Sequence, residues 1–409
     1  MQRITHQFRS TTSKERAMNF QSVNPLNIRL NLFSGNLLPM TSYDSSFPLL
    51  WKVYSVFVWM IEMIIGAVLI PGCMYVSTEK VLKDGMICFA VFIEMAFMIA
   101  RIHIYKNVAN QLIRKLNDIL HTADETMKSV VTATLKPVEA PLNFYWSAGV
   151  ASIIAWTCIP LVLLFEKNLF YYEDYRIPAA FSRQPFSLEI FLLGSLFLTI
   201  SAVYMFLKKV GVDVYMVHLV LMTTAQYRYI AVKIAMIFQE NDENNKEHSS
   251  ESNERKEKEI IMLCRHHNTV IRITSLLKKL LSLNFSLIYM NSVFRFCFIG
   301  IMLSMIPSTT FWEGISIIMY ASGAVVQLFI LCSCVQQLLD ASTEMTDKAF
   351  HEDWHLFKPS IKRMFILIIM ANNLECKLAT FENFNLSLPS FMVILNQSYS
   401  ISLLFLKMK

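Results

Sequence analysis

Long apolar runs constrain the fold of this chain more than any other feature of its sequence. A helix of about twenty such residues crosses the ~30 Å of hydrocarbon in a bilayer. The composition agrees, since 54% of the residues are hydrophobic and 17% are charged, whereas soluble domains average about 45–50% and about 25%. Seven runs are long enough to span: residues 49–70, 86–104, 144–165, 186–207, 283–306, 311–338 and 386–406. The sequence therefore predicts an all-α membrane protein with seven transmembrane helices.

The basic residues are distributed unevenly between alternate loops. The segments on the side of the N-terminus carry 27 lysines and arginines, and the others carry five, leaving aside the two lysines of the C-terminal tail. Segments rich in Lys and Arg stay on the cytoplasmic side of membrane proteins. We therefore expect a cytoplasmic N-terminus and an extracellular C-terminus. G-protein-coupled receptors have the reverse orientation, so the charge pattern argues against that class.

The segment between the fourth and fifth spans is the main soluble portion of the predicted fold. Residues 211–238 and 260–281 have apolar residues at helical spacing, which predicts long cytoplasmic extensions of helices four and five. Residues 239–259 are charged and rich in Asn, Glu and Lys, which indicates a mobile linker. Residues 364–370 are apolar but too few to span, so we expect a re-entrant or cytoplasmic helix and a split seventh helix.

Six segments follow from these boundaries. They are a cytoplasmic N-terminal segment (1–46), helices one to four (47–210), a cytoplasmic helical anchor region (211–282), helices five and six (283–338), a cytoplasmic segment with the short helix 7a (339–383), and helix 7b with a short extracellular tail (384–409).

The sequence contains no catalytic motif. GxSxG, HExxH and the phosphate-binding P-loop are all absent. His266 and His267 follow Cys264, but they have no second group of metal-ligating residues nearby in the sequence, which favours a packing role over a zinc site. We therefore expect neither an enzyme nor a metal or cofactor site.

Three charged residues fall inside the predicted spans. Glu62 lies in the first span, Glu94 in the second and Arg295 in the fifth. A charge at the bilayer centre costs a few kcal/mol, about 3 on insertion scales. Two interpretations remain open: these residues line an ion pathway or contact a ligand, or they are paired within the protein. The sequence alone does not pair them.

Aromatic residues and methionine are frequent in the predicted outer halves of spans two to six. Met86, Phe89, Trp156 and Tyr320 are examples. A cavity between these helices would be apolar and suited to a small volatile or lipid-like ligand, although ordinary packing accounts for most of these residues individually.

The last span differs, because Asn396, Gln397 and several serines interrupt it. Polar side chains in a membrane helix face other helices or water, which is one way to build a pore.

The C-terminal third resembles the insect odorant receptors. The resemblance lies in residues 385–391 (Asn-Leu-Ser-Leu-Pro-Ser-Phe) and in Ser398-Tyr399-Ser400. Further similar segments are Asp213 with Gln226-Tyr227, the run Cys264-Arg-His-His267, residues 284–286, and residues 350–370 around Trp354. The sequence departs from the family at Phe350, where tyrosine is frequent, and at residues 373–376, which replace a turn containing proline.

The resemblance implies a ligand-gated cation channel subunit that forms a heterotetramer with a shared odorant co-receptor. It places a small volatile ligand among helices two to six, with Trp156, Tyr320, Met86 and Phe89 as the contacts. It places Ile401, Ser402 and Phe405 at the outer constriction of the pore. It also implies an anchor between subunits, to which we assign His267, Trp354 and Tyr399, and a plasma-membrane location in olfactory sensory neurons.

Two other classes are compatible with a seven-span chain. A gustatory-type receptor would work as a homomeric channel on soluble tastants, and its current would need no co-receptor. A transporter would show substrate flux without an open pore. Internal repeats would favour a transporter, and the sequence shows none.

Overall fold

The computed structural model describes residues 18–41, 47–243, 250–304, 306, 310–352, 354, 358–372 and 386–407. Its longer helices, in chain order, are α1 (Pro25–Phe33), α2 (Leu49–Met74), α3 (Met86–Ile104), α4 (Lys106–His121), α5 (Glu125–Cys158), α6 (Leu188–Glu243), α7 (Ser250–Ser304), α8 (Phe311–His351), α9 (Pro359–Asn372) and α10 (Leu388–Lys407). Seven of them, α2, α3, α5, α6, α7, α8 and α10, are long and apolar enough to cross a membrane. The predicted all-α fold with seven spans is confirmed.

Helix α2 continues past residues that commonly end a helix in water. Pro71 lies inside α2, and the helix ends at Met74 rather than at residue 70 as predicted. The amide of Tyr75 then donates to the carbonyl of Gly72 at 3.3 Å. In an apolar environment no water can accept hydrogen bonds from freed backbone groups, so a continued helix is favoured over a loop. The predicted end of this span was wrong by about one turn.

Helices α4 and α5 fill a region that the sequence analysis treated mainly as a basic loop. Helix α4 is amphipathic, and its apolar face, which includes Leu112, Ile113 and Leu116, is buried against α7. Asp124 caps α5, because its carboxylate accepts a hydrogen bond from the amide of Met127 at 2.8 Å. Helix α5 therefore begins well before residue 144, and residues Ile159–Phe165 complete the span as a 3₁₀-helix.

Helices α6, α7 and α8 are much longer than a bilayer is thick. Helix α6 has 56 residues, which corresponds to about 84 Å at 1.5 Å per residue. It packs against α5 and α8, and α10 packs mainly against α7. The predicted long extensions of helices four and five are therefore present, and α8 extends in the same way to His351.

The predicted linker 239–259 is partly helical. Helix α6 runs to Glu243, and α7 starts at Ser250; the six residues between them lie outside the described residues. The i,i+4 ion pairs Arg255–Glu259 and Lys258–Glu254, at 3.2 and 3.0 Å, support the first turns of α7. A charged composition therefore did not exclude a helix at either end of this segment, and its mobility stays a prediction.

The segment before α2 packs onto α6. The ring of Phe20 lies 4.4 Å from that of His218, and the Asn36 amide donates to the carbonyl of Lys208 at 2.9 Å. Gly35 has a φ of +67°, a conformation that glycine adopts without strain. The described part of the N-terminal segment is therefore an integral layer of the fold.

Candidate ligand cavity, charge cluster and last helix

An apolar cavity of about 110 Å³ lies between α3, α5, α6 and α8. Its wall is almost entirely apolar, and α2, α7 and the α5–α6 connection each contribute a residue. The lining residues are Ile65, Ile87, Cys88, Val91, Ser152, Ile153, Trp156, Ile177, Leu198, Ser201, Ala202, Met205, Phe206, Met302, Ser316, Ile317 and Tyr320. The surface of this cavity suits a small apolar molecule, because the transfer of such a molecule from water into an apolar site is favourable and would drive binding.

Two of the four predicted ligand contacts line this cavity. Trp156 on α5 and Tyr320 on α8 lie in its wall. Met86 and Phe89 do not, and the side chain of Phe89 is 39% exposed on the outer face of α3. Their neighbours Ile87, Cys88 and Val91 line the cavity instead. Except for Glu94 and its last turn, α3 is apolar on all sides, so composition does not reveal which of its apolar residues point inward.

A second cavity, of about 230 Å³, lies between the N-terminal segment, α5 and α6. Its wall mixes leucine and valine with the polar side chains of Asn24, Glu139, Asn143 and His218. His218 is committed to the protein, since its ring nitrogens lie 3.1 Å from the Phe20 carbonyl oxygen and 3.5 Å from the Asn24 amide nitrogen. The first cavity therefore matches an apolar ligand better, although it is smaller.

Residues 166–187, called the capping segment below, close one end of the apolar cavity. Ile177 lines the cavity directly, and the amide of Ala180 donates to the carbonyl of Val68 at 3.1 Å. The ring of Tyr175 stacks on those of Phe186 and Phe191, at 5.4 and 5.2 Å between centroids. Burial raises the pKa of the Tyr175 phenol. The central part of the capping segment, residues 175–179, is therefore buried.

Arg176 ties the capping segment to two helix ends. Its guanidinium lies 2.7 Å from a carboxylate oxygen of Glu313 on α8 and 3.5 Å from one of Asp84, which precedes α3. Lys80 also pairs with Asp84, at 2.9 Å. The same guanidinium lies over the ring of Trp156, 5.2 Å from its centroid. Arg176 therefore holds both the capping segment and one wall of the apolar cavity in place.

We expect Arg176→Gln to lower the stability of the folded receptor by about 2 kcal/mol, because a neutral amide replaces a buried charged donor. The thermal unfolding midpoint of the purified protein would measure this change. Arg183→Gln is the matched control, since Arg183 is exposed in the same capping segment. Equal midpoints for the two variants would contradict the role assigned to Arg176.

The charges inside the spans are held within the protein. The ammonium of Lys209 lies 2.8 Å from Glu94 and 2.6 Å from Asp213. Asp213 also accepts hydrogen bonds from Gln327 at 2.6 Å and from Tyr145 at 3.1 Å. These residues join α3, α5, α6 and α8, and all of them are buried. Of the two interpretations of Glu94, internal pairing is the one that the structure supports.

Glu62 and Arg295 have different surroundings. Glu62 accepts a hydrogen bond from Ser201 at 3.2 Å, and Ser201 lines the apolar cavity. Arg295 is buried on α7, and its guanidinium lies 5.5 Å from the centroid of the Phe296 ring. Its positive charge interacts electrostatically with the carboxylate of Glu94. The sequence analysis placed Asp213 in a cytoplasmic extension and therefore did not identify it as the ion-pair partner of Lys209. The i,i+4 spacing of Lys209 and Asp213 was the signal in the sequence that could have identified the pair.

Helix α10 leaves most of its surface uncovered. In its span 17% of the residues are buried, against 50% in α8. Its buried face comprises Ile394, Ser398 and Ser402 and packs on α7, where the Ser398 hydroxyl donates to the carbonyl of Val293 at 3.0 Å. The opposite face exposes three polar side chains at helical spacing, those of Asn396, Gln397 and Ser400.

The three predicted pore residues occupy different positions on α10. Ser402 is buried beside Gly300 of α7, and its hydroxyl donates to the Tyr399 carbonyl at 2.8 Å. Ile401 is half-buried, and Phe405 is 49% exposed. The structure therefore does not place these three side chains on one exposed face, and Ser402 is a packing residue within the chain.

The predicted anchor residues also lie apart. His267 is buried on α7. Trp354 stacks on Phe365 of α9 at 6.5 Å and donates to the Phe350 carbonyl at 3.2 Å. Tyr399 is 65% exposed on α10. Helix α9 leaves three apolar side chains exposed, those of Ile366, Leu367 and Met370, which form an uncovered apolar patch.

The fold, with its seven spans, defines a multi-pass membrane protein. The family model described as 7tm Odorant receptor matches residues 80–399, well over half of the chain. The chain belongs to this family of insect odorant receptors, a family of receptors rather than enzymes.

Individual relatives are similar at low identity. Odorant receptor 67a of Drosophila melanogaster is 24% identical over 137 residues, which cover 34% of this chain and 33% of that protein. Odorant receptor 85f of the same species is 25% identical over 96 residues, 24% of each protein. The chain thus aligns with about a third or less of the length of these curated relatives.

Solved structures of one olfactory receptor have the same fold. The structure of the insect olfactory receptor OR5 from Machilis hrabei in complex with eugenol matches with a TM-score of 0.77, over 95% of this chain and all of that one, at 11% identity. A second structure of the same receptor matches with a TM-score of 0.76 at 12% identity, over 95% of this chain and 98% of that one. At such low identity, the match establishes the fold.

Proposed function

We propose that this chain is the ligand-selective subunit of a ligand-gated, non-selective cation channel that responds to small volatile molecules. The apolar cavity with Trp156 and Tyr320 in its wall is the observation that carries the proposal, because a receptor for apolar odorants needs a site of this kind. The receptor from Machilis hrabei, which has the same fold, was solved with eugenol bound. Family membership supports a sensory role.

The proposed orientation places the N-terminus in the cytoplasm and the C-terminus outside the cell. It rests on the 27 basic residues on one side against five on the other. With this orientation the capping segment faces the outside, and the apolar cavity lies in the outer half of the membrane. The extensions of α6, α7 and α8 then form, with α9, a cytoplasmic anchor region. The membrane is the plasma membrane, in olfactory sensory neurons.

The proposed channel is a heterotetramer with a shared odorant co-receptor. Two uncovered surfaces support assembly: the apolar patch on α9 and the largely exposed helix α10. In a bilayer the polar face of α10, with Asn396 and Ser400, is better placed along a water-filled pore than against lipid. Four copies of α10 around an axis would line such a pore. A ligand that binds more tightly to the open state would shift the equilibrium towards it.

Recording odorant-evoked currents from cells that express this chain with and without a co-receptor tests the function. We expect current only when both are present. Current from this chain alone would favour a gustatory-type homomeric channel, and flux of a ligand without ionic current would favour a transporter. Silence across a broad panel, with the chain delivered to the cell surface, would refute the proposal.

Trp156→Ala is expected to reorder the potencies of different odorants, because it removes a large part of the cavity wall, while the conductance of the single channel stays the same. Dose–response curves for a panel and single-channel recordings measure the two quantities. Trp312→Ala is the matched control, since Trp312 is 71% exposed on α8 and does not line the apolar cavity. Equal effects of the two substitutions would contradict the assigned site.

A further inference from the structure

The serine hydroxyls in the wall of the apolar cavity are already used within the protein. The hydroxyl of Ser152 donates to the carbonyl of Ser316 at 3.3 Å, and that of Ser316 donates to the carbonyl of Trp312 at 3.0 Å. The hydroxyl of Ser201 donates to Glu62 at 3.2 Å. The hydroxyl proton of each of these three serines is therefore already in a hydrogen bond within the protein, and none of them offers a free donor to a ligand.

Tyr320 is the exception among the hydroxyl groups that line the cavity. Within the described part of the chain its phenol makes no hydrogen bond, and its oxygen is not sealed off by protein atoms. The other uncommitted donor in the wall, Nε1 of Trp156, also has no partner among the described residues, but protein atoms cover it completely. Leaving aside the weakly donating thiol of Cys88, a ligand in the cavity can therefore reach one free donor among the described residues, the O–H of Tyr320.

An apolar wall with one donor discriminates between ligands by their polar groups. A carbonyl oxygen can accept from Tyr320 and brings no donor of its own. An alcohol can also accept, but its own O–H then needs an acceptor in a wall whose surface is almost entirely apolar, and leaving it unpaired costs about 1 kcal/mol or more relative to a ketone. A hydrocarbon leaves the phenol of Tyr320 unpaired.

The volume of the cavity limits the size of the ligand. Benzene fits in an engineered apolar cavity of about 150 Å³ in another protein. A cavity of about 110 Å³ is smaller, so by comparison with that case it admits a molecule of at most about six non-hydrogen atoms.

We propose that this cavity selects compact molecules with one carbonyl group, small ketones, aldehydes and esters, whose oxygen accepts a hydrogen bond from Tyr320. The inference rests on the proposed function, since it names the ligand class of the same cavity. It makes Tyr320 a specificity-determining residue for the chemical group of the ligand and leaves Trp156 to define the shape of the apolar wall.

Three probes of equal size test the inference: cyclopentanone, cyclopentanol and methylcyclopentane. In cells that express the full chain with a co-receptor, cyclopentanone should evoke current at a concentration at least roughly 5-fold lower than cyclopentanol, the factor expected for about 1 kcal/mol of unpaired donor. Equal potency of the ketone and the alcohol would overturn the inference, whatever any substitution does.

Tyr320→Phe removes the donor and keeps the ring. It should raise the half-maximal concentration for cyclopentanone roughly 2- to 12-fold, the value of one neutral hydrogen bond, and leave that for methylcyclopentane unchanged. A purely structural role would weaken both probes equally, and this outcome would overturn the inference. Tyr75→Phe is the matched control, because it removes the same hydroxyl from an exposed ring at the end of α2.

The failure of this inference is distinguishable from the failure of the proposed function. If other odorants evoke current but the ketone has no advantage over the alcohol, the ligand class is wrong and the receptor function stands. If no odorant evokes current from surface-delivered receptor with co-receptor, the proposed function fails. Should Tyr320→Phe not reach the surface, the ranking of the ketone and the alcohol on the unaltered receptor decides alone.

Discussion

Lys209→Met should destabilise the folded protein by about 3–5 kcal/mol or more and prevent its delivery to the cell surface. Lys209 is the common partner of Glu94 and Asp213, at 2.8 and 2.6 Å, and all three side chains are at most 3% exposed. Removing one member of a buried ion pair costs about 3–5 kcal/mol, because the remaining charge is unpaired. Here two carboxylates lose their partner. Surface labelling and the thermal unfolding midpoint measure the effect.

The neighbouring lysine provides the matched control. Lys208 is equally buried, but its ammonium lies 3.9 Å from the centroid of the Trp59 ring and makes no hydrogen bond within the described residues. Lys208→Met should cost less than Lys209→Met, because it removes a desolvated cation–π contact of about 2 kcal/mol and a charge that acts on Glu62 without forming an ion pair with it. The double variant Lys209→Met/Asp213→Asn should recover much of the stability, since Glu94 then remains opposite the buried charge of Arg295 and no carboxylate is left unpaired. A Lys209→Met single variant as stable as Lys208→Met would show that the cluster is not what holds the helices together.

Gly149→Ala should remove most of the response to ligand while the receptor still folds. A Cβ atom at position 149 would overlap the ring of Phe206, and that ring lines the apolar cavity. Tyr145 and Trp146 flank it, at 5.7 and 6.3 Å between centroids, so displacement towards the cavity is the open direction. Overpacking of this kind costs about 1–3 kcal/mol, which corresponds to roughly 5- to 150-fold in the half-maximal concentration of ligand.

A second glycine separates this local effect from a general effect of alanine in a helix. A Cβ atom at Gly323 on α8 would meet nothing within 4 Å, so Gly323→Ala should leave the response unchanged. The double variant Gly149→Ala/Phe206→Leu should restore sensitivity, because the smaller side chain makes room for the added methyl group. If Gly149→Ala responds normally, Phe206 does not control access to the cavity.

The sequence predicted the number and type of the elements better than their ends. Apolar runs reveal spans because a helix needs about twenty apolar residues to cross the bilayer. Helices α5 and α8, however, continue beyond their apolar runs into polar segments, and hydropathy alone does not distinguish a polar helix from a loop. Helix α4 was missed although Leu112 and Leu116 recur at helical spacing. The pattern was present in the sequence, and the basic residues between them favoured a loop.

The site was predictable only in part, for a different reason. Trp156 and Tyr320 were expected in the apolar cavity and line it. Met86 and Phe89 were expected as well and do not line it, since a helix that is apolar all round gives no signal for its inner face. The ion-pair partner of Glu94, Lys209, lies on α6, more than a hundred residues away, and only the tertiary structure brings them together. Ser402 was assigned to the pore from the family resemblance, whereas the small Gly300 lets it pack against α7.

Helix α6 connects two distant parts of the molecule as a single rigid rod. Its residues Leu198, Ser201 and Met205 form part of the apolar cavity, and the same helix continues without interruption to Glu243. From Met205 to the far end the rod extends about 57 Å at 1.5 Å per residue. A tilt of about 3° at the cavity would therefore move that end by about 3 Å over this length. Under the proposed function, a small ligand can therefore change contacts at the opposite end of the protein by tilting α6. This holds even when the ligand displaces the helix at the cavity by only a fraction of an ångström.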